Sequence, residues 1–158
     1  RERKREEERE EGGEEEREEK NGRKGGGYDY GFLGIGREDE SVAVGLWDVV
    51  KEYMAENNMA ATPLLERFAT RTSTGELEWD RSYFYTNFEV GSLSFFRSPS
   101  FVHFFDYLDR KKGIYKYRWG DAPIHLLAVS LLSDHDRIVR FKSVAYAHKA
   151  FVNLPLSD

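Results

Sequence analysis

Residues 98–132 read SPSFVHFFDYLDRKKGIYKYRWGDAPIHLLAVSLL, two helical patterns joined by a basic, glycine-punctuated turn. Ser98 followed by Pro99 is a strong helix start, because the serine hydroxyl can accept an orphan N–H and proline has no N–H to satisfy at the first helical position. Phe101, Phe104, Phe105 and Leu108 then recur at the helical period. The pattern ends at RKKG, where cations face the last carbonyls and Gly113 stops the helix. In the second half, Asp121 is expected to be the N-cap, with Pro123 in the first turn and Ile124, Leu127, Ala128 and Leu131 facing inward. Each helix shows one apolar stripe, and the two stripes are expected to share one core.

Outward from this pair the chain alternates element types. GLWDVVKEYMAENN at 45–58 places Leu46, Val49, Val50, Tyr53 and Met54 on one helical face. Residues 59–82 are mostly polar and read as a loop with a short helical piece near PLLERF. YFYTNFEV at 83–90 is rich in aromatics and reads as a buried extended segment that delivers Glu89 to its end. RIVRF and SVAYA look like two short strands. In YGFLGIG at 30–36 the glycines do not make a dinucleotide loop, since no third glycine follows and the next residues are REDE. The fold class is therefore mixed α/β.

The chain has 158 residues and a formal net charge of -5, which suits one domain and argues against general affinity for nucleic acid. Its composition changes abruptly near residue 27. Residues 1–27 are Glu, Lys, Arg and Gly with one Asn, have no aliphatic or aromatic side chain, and are expected to form a disordered charged tail ahead of a domain over 28–158. With no cysteine, disulfides and thiolate zinc sites are excluded. The longest apolar stretch, IHLLAVSLL at 124–132, is far short of the roughly 20 residues of a membrane span.

Glu89 is the most conspicuous candidate for chemistry, because a carboxylate inside an aromatic run is costly without a partner or a purpose. Pairing with an arginine, or capping the helix begun by SLSFF, would explain it equally well. Asp121 can be a plain N-cap. His103 and His135 read as structural or solvated, and His125 as a residue satisfying a loop carbonyl. His148 closes a short strand with no second His nearby, so its spacing alone does not mark a metal ligand. No triad, P-loop or zinc motif can be assembled.

Three blocks together carry more information. YFYTNFEVGSLSFFRS, FFDYLDRKKGIYKYRWGDAPIHLLAVSLL and VAYAHKAFVNLP, in this order and spacing, resemble the core of the fungal α-1,2-mannosyltransferases of glycosyltransferase family 15. The resemblance extends back to about Tyr30. It implies a glycosyltransferase-A-like fold, here the C-terminal, acceptor-side portion, and a Golgi enzyme transferring mannose from GDP-mannose to mannose-containing glycoprotein or glycolipid acceptors. On the same resemblance Glu89 is the nucleophile of a retaining transfer, Asp121 with Arg118 binds the sugar, and His148 is a ligand of Mn²⁺ on the GDP diphosphate. A hard divalent ion there would neutralise the leaving diphosphate. Ser82 and Leu154 stand where the family usually has cysteine, and Tyr83 where it has histidine. The family's nucleotide-binding half, with its acidic EPD-type motif, has no counterpart in the charged tail, so the chain alone is expected to transfer little or no mannose, and a catalytically dead sugar-binding or partner-binding remnant is the alternative function.

Overall fold

The computed structural model describes residues 27–149 and 151–155, so the expected tail lies outside the described residues apart from Gly27. In chain order the elements are β1 (Tyr30–Phe32), β2 (Ile35–Arg37), α1 (Leu46–Glu56), β3 (Ala69–Arg71), β4 (Leu77–Trp79), β5 (Ser82–Phe84), β6 (Glu89–Gly91), α2 (Leu93–Phe96), α3 (Pro99–Arg110), α4 (Gly113–Lys116), α5 (Asp121–Leu132), β7 (Ile138–Arg140), β8 (Tyr146–His148) and β9 (Phe151–Asn153). Strand β1 is the centre of a three-stranded sheet, antiparallel to β6 and parallel to β7. The pairs β2–β5, β3–β4 and β8–β9 are separate antiparallel ribbons.

The two helices read from the sequence are present, with differences that have physical causes. The Ser98 side chain accepts the N–H of Phe101 at 3.2 Å and Pro99 opens α3. The buried face of α3 is Phe101, Phe104, Tyr107 and Leu108, whereas Phe105 is 41 % exposed and only flanks Phe101. Phe105 therefore does not belong to the stripe; Tyr107 does. Helix α5 is capped by Gly120, not by Asp121, which is the exposed first helical residue and makes no cap bond. A carboxylate at that position still complements the positive end of the helix. Instead of one stripe, α5 buries nearly its whole surface from Pro123 to Leu131, because it is the central helix, packed on β5 and α3. Phe101, Phe104, Leu108, Ile124, Leu127 and Leu131 lie in one core, as expected.

Helix α1 buries Leu46, Trp47, Val50 and Tyr53. The loop expected over 59–82 contains a 3-10 turn at Leu65–Arg67 and also the hairpin β3–β4. Trp47 Nε1 donates to the Leu77 carbonyl at 2.9 Å and so fastens α1 to that hairpin. YFYTNFEV is not one buried segment. It divides between β5 and β6, strands of different sheets, with Phe88 and Val90 exposed. Gly34 and Gly36 are sockets for the rings of Phe151 and Tyr83, which occupy the space a Cβ would need. Their job is packing, and no phosphate loop forms there.

A half-buried ion pair ties the start of β1 to the residue before β7. Asp29, just ahead of β1, receives bonds from Arg137 Nε at 2.8 Å and Nη2 at 2.6 Å, and from Ser133 Oγ at 2.7 Å. The Arg137 hydrogen bonds and charge, helped by Ser133, outweigh burial and hold the Asp29 carboxyl below the ordinary carboxylate range.

Candidate active site

Glu89 opens β6 and sits opposite Phe32 of β1, while Tyr30 sits opposite Gly91. In an antiparallel pair this makes Tyr30 and Glu89 diagonal neighbours, within reach of a long side chain. The Tyr30 hydroxyl donates to Glu89 Oε2. From the other side, His125 Nδ1 lies 3.1 Å from the same oxygen. His125 is four residues beyond Asp121 on α5, and that spacing puts both on one face of the helix. The Glu89 side chain keeps 25 % of its surface exposed and His125 keeps 20 %.

The electrostatics follow from this geometry. Burial pushes the Glu89 carboxyl up, but the hydrogen bonds from His125 and Tyr30 and the charge available on His125 outweigh it, so the pKa lies below its ordinary value. For the Tyr30 hydroxyl the effects add: burial first, then the bond to Glu89 and the charges of Glu89 and Asp121 drive its pKa strongly upward. Tyr30 is therefore a fixed donor and Glu89 a carboxylate at neutral pH. Asp121 is near enough to Tyr30 to act on it, and Glu38 Oε2 approaches Gly120 at the other side of the same turn. Two carboxylates, Asp121 and Glu38, thus lie close to the start of α5.

Arg118 is exposed on a left-handed backbone (φ 62°) and makes no hydrogen bond or ion pair among the described residues. Trp119, next to it, is buried and donates Nε1–H to the Val44 carbonyl at 2.8 Å, so the RWGD turn is anchored by its tryptophan while its charged residues face outward. His148 ends β8, and its Nδ1 is 2.6 Å from the Tyr85 hydroxyl. Tyr85 stacks on Phe151 at 4.3 Å, and Phe88, the residue before Glu89, packs against Phe141 and Tyr146. Glu89 thus bonds Tyr30 and Asp121 acts on the same tyrosine through its charge, whereas His148 lies on a separate hairpin and bonds to neither. Among the described residues no three His, Cys, Asp or Glu side chains gather as a metal cluster. A lone imidazole held by a phenol is a poor host for Mn²⁺, which favours several oxygen ligands, so these residues do not by themselves complete a manganese site.

His125 and Tyr30 are the members that the sequence reading missed. His125 does not satisfy a loop carbonyl; its partner is Glu89. The i,i+4 spacing from Asp121 was the one available signal for it. Tyr30 carried none, because its partner lies in a different block of sequence.

The family model described as glycolipid 2-alpha-mannosyltransferase matches residues 24–158. The chain is 38 % identical over 138 residues to the probable mannosyltransferase KTR2 of Saccharomyces cerevisiae, covering 80 % of this chain and 32 % of that protein. It is 33 % identical over 135 residues to glycolipid 2-alpha-mannosyltransferase 1 of Candida albicans, covering 81 % and 30 %. Among solved structures it resembles core-mannan synthase A of Aspergillus fumigatus in its Mn/GDP form, with TM-score 0.73 and 28 % identity over 81 % of this chain and 36 % of that one. The Ktr4p mannosyltransferase of S. cerevisiae in complex with GDP gives TM-score 0.68 at 28 % identity, covering 81 % and 34 %. The chain spans about a third of the length of these relatives.

Proposed function

Because the chain belongs to the glycolipid 2-alpha-mannosyltransferase family, we propose that it carries the acceptor side of a retaining mannosyl transfer from GDP-mannose to a mannose-bearing glycoprotein or glycolipid. The observation that carries this reading is Glu89: an ionised, partly exposed carboxylate with one oxygen tied down by Tyr30 and His125. A carboxylate so held can form a bond to the anomeric carbon of mannose as the bond from that carbon to the diphosphate oxygen breaks and GDP leaves. An acceptor hydroxyl then displaces the carboxylate and gives its proton to a diphosphate oxygen. Two inversions return the α configuration. Asp121 and Arg118 are proposed to hold sugar hydroxyls at the mouth of the site. His148 is proposed as one contact of a manganese ion, and the Golgi is the proposed compartment.

A second reading, a sugar-binding or partner-binding module without turnover, is favoured by His148, whose Nδ1 is already engaged by the Tyr85 hydroxyl at 2.6 Å. Transfer to methyl α-mannoside from GDP-mannose with manganese separates the two. Slow formation of an α-linked product, abolished by Glu89→Gln, is the expected result. Transfer that persists at full rate in Glu89→Gln would refute the assigned chemistry, and binding of methyl α-mannoside with no transfer supports the second reading.

A further inference from the structure

Glu89 has two donors, and both reach the same oxygen. We infer that Tyr30 and His125 are positioning residues that tie down Glu89 Oε2 so that Oε1 is the oxygen presented to substrate. The inference rests on the functional reading of Glu89 given above and adds which atom acts and what aims it.

The donors come from two independent elements. Tyr30 belongs to the central strand, is 1 % exposed, and reaches Glu89 diagonally across the β1–β6 pair. His125 comes from the central helix, where the Phe96 ring lies 5.1 Å away at 61° and the Tyr30 ring 6.3 Å away at 78°. The two rings also touch each other at 6.3 Å, so the imidazole packs against one edge of an aromatic cluster that limits its movement away from Oε2. An ionised carboxylate only accepts hydrogen bonds, so the His125 proton facing it must be on Nδ1. Tyr30 cannot take the opposite role, because the surroundings that hold its proton are built from burial and the carboxylates of Glu89 and Asp121. Among the described residues Oε1 has no hydrogen-bond partner, and the side chain remains partly open to solvent. Because the side chain is 25 % exposed, Oε1 is the oxygen open to water or to a substrate hydroxyl or anomeric carbon. Here one is fixed and the other is left free.

The groups that face Glu89 are Tyr30 from β1 and His125 from α5, with Asp121 acting through Tyr30. The test follows the Glu89 carboxyl directly, by ¹³C NMR of the full 158-residue chain labelled at its glutamate carboxyls. Glu89→Gln identifies the resonance. Tyr30→Phe, which removes only a hydroxyl, and His125→Ala are each expected to raise the Glu89 pKa by about one unit or more. His125→Asn places an amide N–H near the former Nδ1 and is expected to restore most of the shift. In the transfer assay the same two variants should lower kcat about tenfold with KM for methyl α-mannoside little changed, again with rescue by His125→Asn. An unmoved Glu89 titration in both Tyr30→Phe and His125→Ala overturns the inference, as does a loss in His125→Ala that His125→Asn does not recover. NMR shifts as expected, with no transfer by any form of the chain, would leave the positioning intact and remove the transferase reading instead.

Discussion

The two halves of the Asp29–Arg137 pair should not be equally expensive to remove. The Asp29 side chain is 10 % exposed and that of Arg137 is 37 % exposed. Arg137→Ala leaves a buried carboxylate with Ser133 Oγ as its remaining side-chain donor, and stranding a buried charge in this way costs about 3–5 kcal/mol. Asp29→Ala leaves a guanidinium that already reaches water, so its cost is the loss of charge-assisted hydrogen bonds, about 1.5–3 kcal/mol. The backbone bonds at this point, Asp29 N–H to the Arg137 carbonyl at 2.7 Å and Ser92 N–H to the Asp29 carbonyl at 2.8 Å, survive both changes. At a urea slope of about 2 kcal/mol/M, the arginine variant should lose roughly 2 M in midpoint and the aspartate variant roughly 1 M. The pair also has a pH signature. The Asp29 carboxyl is depressed in the folded chain, so its stabilisation is fully present above its ordinary value of 3.8 and is lost as pH falls through the lower, folded value. Urea midpoints measured from pH 6 down to pH 3 should therefore fall in the parent more than in Asp29→Ala. An aspartate variant that costs as much as the arginine variant, or a parent and Asp29→Ala with parallel acid profiles, would refute this account.

Two further tests probe the core. Phe104→Ala, at a fully buried position packed edge-on against Tyr53 at 5.1 Å, should cost about 3–5 kcal/mol, whereas Phe105→Ala on the exposed flank should cost less than about 1 kcal/mol in the same urea titrations. Gly113→Ala should destabilise the chain by about 1–3 kcal/mol, because a Cβ there would meet the buried Trp119 indole at 2.2 Å, and a shift of tryptophan fluorescence would report the displaced ring.

What could be read from the sequence depended on the distance over which each signal acts. Helix α1 declares itself by its period, α3 by period and the Ser98 cap, and α5 by its apolar run, all local properties. The face of α3 was misjudged by one residue because Phe105 and Tyr107 are equally plausible on hydrophobicity, and only the neighbours decide between them. The three-residue strands carry too little pattern to be separated, so YFYTNFEV looked like one element although it serves two sheets. The site divides in the same way. Glu89 was visible because a carboxylate among aromatics is an anomaly in its own neighbourhood. Its donors lie 59 and 36 residues away and look ordinary where they stand. Asp29 was missed for the same reason: an acid before YGF looks like surface until Arg137, 108 residues later, is seen to cover it.

That separation also governs the order of events during folding. Strand β1 precedes both its neighbours, one of which arrives with residues 89–91 and the other only with residues 138–140. Loop closure over such spans is slow compared with helix formation, so α1, α3 and α5 can form locally while the central sheet waits. A ribosome that pauses before residue 138 would hold a nascent chain with Tyr30 and Glu89 able to meet but with Asp29 unpaired and one edge of β1 open to other chains. In chain order the residues that hold Glu89 are thus all in place before the strand that covers the second side of β1, and the Asp29–Arg137 pair closes the sheet last.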